Sequence, residues 1–264
     1  MRRSRIAAYV SSLLLALGAV LTGAGSAQAA TGPYVALGDS YASGVGAGSY
    51  ISSSGDCKRS TKAHPYLWAA ANSPSSFAFT ACSGARTGDV LANQMSPLNS
   101  STALVSISVG GNDAGFADVM TTCVLQSDSS CISRINTAKA YVDSTLPGKL
   151  DSVYSAIRSK APSAHVVVLG YPRFYKLGQS CLGLSETKRK AINDAADYLD
   201  AAVARRAAAH SFTFGDVRTT FTGHEICSGS SWLHSVNWFN IGESYHPTAA
   251  GQSGGYLPVL NSAA

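Results

Sequence analysis

The side chains best suited to chemistry in this 264-residue chain are a serine, an asparagine and a histidine, far apart in sequence. Ser40 lies in Gly38-Asp39-Ser40, Asn112 in Gly110-Gly111-Asn112-Asp113, and His246 in Glu243-Ser244-Tyr245-His246-Pro247. A serine hydroxyl attacks a carbonyl usefully only if a base such as imidazole takes its proton. The oxyanion that forms then needs N–H donors. The Asn112 amide offers one, and Gly84, in Cys82-Ser83-Gly84-Ala85, offers another as a backbone N–H that no side chain of its own shields. Each motif is weak alone. Gly-Asp-Ser by itself reads more readily as a turn that caps a helix, and a lone histidine is usually structural. His64, His165, His210, His224 and His234 lack a comparable setting, and His224-Glu225 is not followed by the second histidine of a zinc-protease helix.

The elements that must position these groups are legible as apolar runs. Residues 34–37, 77–81, 104–109, 166–169 and 212–214 are short and rich in Val, Ile and Phe, as buried strands are. Between the last two, Ser185 precedes a segment in which Ile192, Ala195, Leu199, Ala202 and Val203 recur at helical spacing, which predicts a capped amphipathic helix. Residues 136–160 predict a helix kinked or split at Pro147-Gly148. Strands alternating with helices imply a parallel sheet covered on both faces, and such sheets bind ligands at the carboxyl ends of their strands. Ser40, Gly84 and Asn112 follow the first three strands. The Ser/Gly-rich stretches 42–55 and 96–102 read as surface loops.

Arg2, Arg3 and Arg5, the apolar run 6–21 and Ala27-Gln28-Ala29 predict a secretory signal peptide over residues 1–30, leaving a single domain of residues 31–264. No cysteine near the cleavage point could carry a lipid, so the product is expected to be secreted and extracellular, without a membrane anchor. Removing the three leader arginines leaves 17 basic against 15 acidic side chains, a net +2 that implies no nucleic-acid partner. Six cysteines in an exported chain favour three disulfides, among fifteen possible pairings. Their spacing does not match a zinc site, so no metal is expected.

Taken in order, the three strand-end motifs and the terminal Glu-x-x-His-Pro resemble the four blocks of the SGNH, or GDSL, hydrolase superfamily across essentially all of residues 31–264. The stretches Tyr34-Val35-Ala36-Leu37-Gly38-Asp39-Ser40-Tyr41 and Gly110-Gly111-Asn112-Asp113-Ala114-Gly115-Phe116 are most similar to extracellular actinobacterial lipases and esterases. The resemblance implies an α/β fold, three-layer and flavodoxin-like, with a central, mainly parallel five-stranded sheet. It implies a carboxylic-ester hydrolase that forms an acyl-enzyme on Ser40 with His246 as general base and Ser40 N–H, Gly84 N–H and the Asn112 amide as oxyanion hole. It further implies no cofactor, a monomer acting on a small-molecule or lipid ester at a lipid–water interface, and the pairs Cys57–Cys82, Cys123–Cys131 and Cys181–Cys227.

One position departs from the pattern: most of the family carries Asp three residues before the histidine, where this chain has Glu243. Either that carboxylate or the Ser244 backbone carbonyl, which some members use, would orient His246, with the carbonyl preferred. Asp39 and Asp113 are expected to bond loop N–H groups rather than a metal. Phe116, Trp232 and Tyr245 stand open between lining an acyl groove and packing in the core. Two other readings compete: a carbohydrate or aryl acetylesterase on the same scaffold, and a non-catalytic secreted binding module. Ala42 breaks the Gly-x-Ser-x-Gly elbow of other serine hydrolases.

Overall fold

A computed structural model describes residues 32–264, so the expected signal peptide lies outside the described residues. Strands β1 (Tyr34–Gly38), β2 (Phe77–Phe79), β3 (Leu104–Ser108), β4 (His165–Leu169) and β5 (Thr213–Gly215) pair in parallel throughout, in the order β2-β1-β3-β4-β5. This is the flavodoxin-like order, and its topological switch point falls between β1 and β3. In chain order the helices are α1 (Ser40–Ser43), α2 (His64–Asn72), α3 (Thr87–Asn93), α4 (Phe116–Leu125), α5 (Asp128–Ser144), α6 (Leu146–Lys160), α7 (Glu186–Ala209) and α8 (Leu257–Ala263).

Alternation along each strand builds two cores. Tyr34, Ala36, Leu104, Val167 and Leu169 pack with Trp68 of α2, Met120 of α4, Ile135 of α5, Ile192 of α7 and Leu260 of α8. Val35, Leu37, Val105, Ile107, Val166 and Val168 pack with Val90 of α3, with Leu150, Tyr154 and Ile157 of α6, and with Val203 of α7. Both faces of the sheet are thus covered, which is why its strands read as continuous apolar runs.

Local signals act as their chemistry requires. Ser185 caps α7, its side chain accepting from Lys188 N at 3.2 Å. The expected break near Pro147 falls at Thr145, because proline is tolerated in the first turn of α6. Helix α5 begins earlier than expected, at Asp128, where Ser127 accepts from Ser130 N. Two strands are displaced from their apolar runs. β2 stops at Phe79 because Thr80 and Ala81 both donate to the Ala36 carbonyl, and Phe212 is drawn off β5 by its bond to Ala207 at the end of α7. Disulfides join Cys57 to Cys82, Cys123 to Cys131 and Cys181 to Cys227, each stapling chain that follows the carboxyl end of a strand.

Candidate active site

The Ser40 loop is fixed from the core. Gly38 ends β1 at φ 122°, where a Cβ would overlap the Ser108 carbonyl oxygen. The Gln94 side-chain amide continues the strand's pairing, accepting from Gly38 N at 2.7 Å and donating to Gly38 O at 2.8 Å. Asp39 then caps α1, its Oδ1 accepting from Tyr41 N at 2.9 Å. Its Oδ2 accepts from the Tyr171 hydroxyl at 2.6 Å, and that hydroxyl accepts from Gly111 N at 3.2 Å. Burial pushes the Asp39 carboxyl up to about 7 against those donors. Ser40, the first residue of α1, is buried, and its N–H has no acceptor within so short a helix.

His246 reaches Ser40 from the opposite side, its Nε2 lying 2.7 Å from Ser40 Oγ. Its Nδ1 lies 3.0 Å from the Ser244 carbonyl oxygen. A carbonyl can only accept, so the imidazole proton belongs on Nδ1 and Nε2 accepts from the serine hydroxyl. Burial pushes the imidazole down to about 4, opposed by the Ser244 carbonyl, so the ring is neutral around pH 7. The Glu243 carboxylate is engaged elsewhere, accepting from the Tyr50 hydroxyl at 2.7 Å, while the Glu243 backbone oxygen accepts from the His246 N–H and, with the Ser244 carbonyl, opposes the lowering of the ring's pKa. The histidine segment pairs with residues 232–234 through backbone bonds, including His234 N to His246 O at 3.0 Å and Thr248 N to Trp232 O at 2.8 Å. Tyr245 sits at φ 68°, an uncommon conformation for a bulky residue, and the Tyr41 hydroxyl donates to its carbonyl at 2.8 Å.

Asn112 follows β3 and lines the same cavity as Ser40. Its Nδ2 donates to Ala85 O at 3.1 Å, leaving the second amide hydrogen for a ligand. Gly84 stands on the exposed turn after β2, at φ 76°, and lines a neighbouring depression beside Cys57 and Cys82 rather than that cavity. Its N–H donates to no other described residue. Asp113 accepts from Thr87 N at 2.9 Å and Thr87 Oγ1 at 2.6 Å, so it and Asn112 tie the β2 and β3 loops together. Among the described residues, no group of three or more His, Cys, Asp or Glu side chains is arranged to hold a metal.

From Ser40 and Asn112 the cavity, of about 70 Å³, runs between α4, α5 and α7, lined mainly by apolar side chains such as Phe116, Met120, Val142, Phe174 and Leu199. Of the three aromatics left open by sequence, Phe116 lines it. Trp232 instead stacks on His224, and Tyr245 packs edge-on against Phe116 and Phe174 behind it. Sequence reasoning missed Tyr171 and Gln94. Tyr171 stands just past the carboxyl end of β4, so the strand-end rule could have flagged it; nothing in the sequence marks Gln94.

The GDSL-like lipase/acylhydrolase family matches across residues 36–253. Over 268 aligned positions covering 100% of both chains, the sequence is 79% identical to Lipase 1 of Streptomyces coelicolor. Two solved structures superpose closely. Phospholipase A1 from Streptomyces albidoflavus NA297 does so with TM-score 0.88 and 72% identity, over 89% of this chain and 100% of that one. The extracellular lipase of Streptomyces rimosus does so with TM-score 0.87 and 67% identity, over 89% and 100% respectively.

Proposed function

The chain belongs to the GDSL-like lipase/acylhydrolase family and is an ester hydrolase; from that footing we propose that it is a secreted lipase working through an acyl-enzyme on Ser40. The observation that carries this reading is the 2.7 Å contact between Ser40 Oγ and a neutral His246 whose other nitrogen faces the Ser244 carbonyl. His246 Nε2 takes the hydroxyl proton as Oγ attacks the ester carbonyl, and Nδ1–H leans on the Ser244 oxygen as the ring becomes cationic. The tetrahedral oxyanion is met by the Ser40 N–H, the Asn112 amide and the Gly84 N–H. Collapse expels the alkoxide, which takes the proton from His246. Water, deprotonated by the same nitrogen, then releases the acid and restores Ser40.

A fatty acyl chain suits the apolar cavity that opens beside Ser40 better than an acetyl group does, because only a longer chain removes that lining from water. Export is supported by the signal-like residues 1–30 and by three disulfides, bonds that persist in oxidising compartments. Residues 31–264 would then form the released, single-domain enzyme. The test pairs two measurements. A fluorophosphonate should label Ser40, and kcat/KM on p-nitrophenyl esters should rise from acetate toward medium and long chains. An acetate optimum would favour the acetylesterase alternative, and an unlabelled Ser40 would overturn its assignment as the nucleophile.

A further inference from the structure

The segment that delivers His246 also carries the most prominent apolar surface among the described residues. Phe239 is fully exposed, Trp238 is 69% exposed and Ile241 62%, while Leu182 on a second loop is 97% exposed. The first loop is firmly built. Asn237 Oδ1 accepts from the N–H groups of Phe239 and Asn240, each at 3.1 Å, and Asn237 N donates to Ser244 Oγ at 2.8 Å. The residue whose carbonyl faces His246 is therefore also the root of the turn that holds Trp238 and Phe239 in water. Leu182 shares a shallow depression with Leu233 and Ser235, which sets the second loop beside the first, and the Cys181–Cys227 bridge pins it.

Charge at this rim points the same way. The Lys58 ammonium lies against Gly242, 3.6 Å from where a Cβ would be. The only acidic side chain between residues 232 and 246 is Glu243, and the hydroxyl of exposed Tyr50 donates to it. A cation beneath a Trp-Phe-Ile edge matches anionic headgroups lying over acyl chains, and Trp and Tyr favour that boundary because one end of each is apolar and the other polar. We propose that Trp238, Phe239, Ile241 and Leu182, with Tyr50 and Lys58 at headgroup level, dock the enzyme on an aggregated lipid surface beside the mouth of the Ser40 site. An ester would then pass from lipid to Ser40 without crossing bulk water. A second copy of the chain is the poorer occupant, since the four side chains expose on the order of a few hundred Å² on each copy, below the ~800 Å² per partner that a standard stable interface buries. Insertion into an interface needs only such an apolar edge. The purpose of docking rests on the lipase reading, but the docking itself does not.

The test uses the full secreted chain carrying Ser40→Ala, so that vesicles of phosphatidylcholine and phosphatidylglycerol survive contact with it. The protein should cosediment with them, with a blue-shifted tryptophan emission that reports Trp238, because Trp68 is buried and Trp232 is stacked on His224. Trp238→Ser with Phe239→Ser should weaken vesicle binding ~10-fold or more, the scale of withdrawing two large side chains from an apolar phase; Trp238→Phe should retain most of it. With Ser40 restored, the double variant should hydrolyse soluble p-nitrophenyl acetate at the wild-type rate while losing turnover on vesicle lipid. Absence of vesicle binding, binding indifferent to the double substitution, or self-association abolished by it would each overturn the proposal. If instead the Ser40→Ala protein docks but the active enzyme leaves vesicle lipid intact, docking stands and the lipase reading falls.

Discussion

Ser40 and His246 meet across 2.7 Å, yet the chain holds them by different means. Ser40 hangs from β1, an interior strand of a buried sheet. The side chains of Asp39, of Tyr171 and of Gln94, which pairs with the Gly38 backbone, fix its loop, and Tyr171 extends the same network to Gly111, next to Asn112. His246 stands on irregular chain, secured by a few backbone bonds to residues 232–234 and by the Tyr41 hydroxyl on the Tyr245 carbonyl. Tyr41, adjacent to Ser40, is one direct link between the two halves. Ser40 and Asn112 inherit their placement from the core. His246 depends on local backbone geometry, which leaves its loop free to carry the exposed Trp238 and Phe239.

Three substitutions probe that contrast, in decreasing order of expected effect. Asn112→Ala on the core-held side should lower kcat by ~10²–10³, the typical cost of removing one side-chain donor to an oxyanion. Steady-state kinetics should show KM nearly unchanged; a loss confined to KM would mean that the amide binds substrate and leaves the oxyanion to other donors. Tyr171→Phe should cost about 1–3 kcal/mol of stability in denaturant titration, because the buried Asp39 carboxylate and Gly111 N–H lose their partner. Its kcat should fall roughly tenfold at constant KM, as expected for hydrogen bonds that position Ser40 and Asn112. Reduced stability with intact kcat would confine Tyr171 to the fold. On the loop-held side, Glu243→Ala should keep more than about a tenth of wild-type turnover, since a backbone carbonyl suffices to orient the ring. A loss as deep as that of His246→Ala would transfer the orienting role to the carboxylate.

The legible parts of the molecule share a physical character. The central strands announced themselves because burial on both faces demands unbroken Val, Ile and Leu, and α7 did so because Ser185 caps a periodic apolar stripe. The edge strands β2 and β5 were read less well. They are three residues long, and their limits are set by competing bonds from Ala36 and from the end of α7. The pairing of Asp39 with Tyr171 and the separate engagement of Glu243 were not foreseen, because each crosses more than a hundred residues of sequence.

By itself, then, the sequence determined which residue types stand at the carboxyl ends of the strands: Ser40, Gly84 and Asn112, with His246 awaiting them from the C-terminal segment. That much follows from local rules, since strand periodicity and turn chemistry act over a few neighbouring residues. Only the tertiary structure decided where the two candidate oxygens stand relative to His246. It did so because Tyr50, arriving from a distant loop, engages the Glu243 carboxylate, while the turn through Tyr245 brings the Ser244 carbonyl within 3.0 Å of Nδ1.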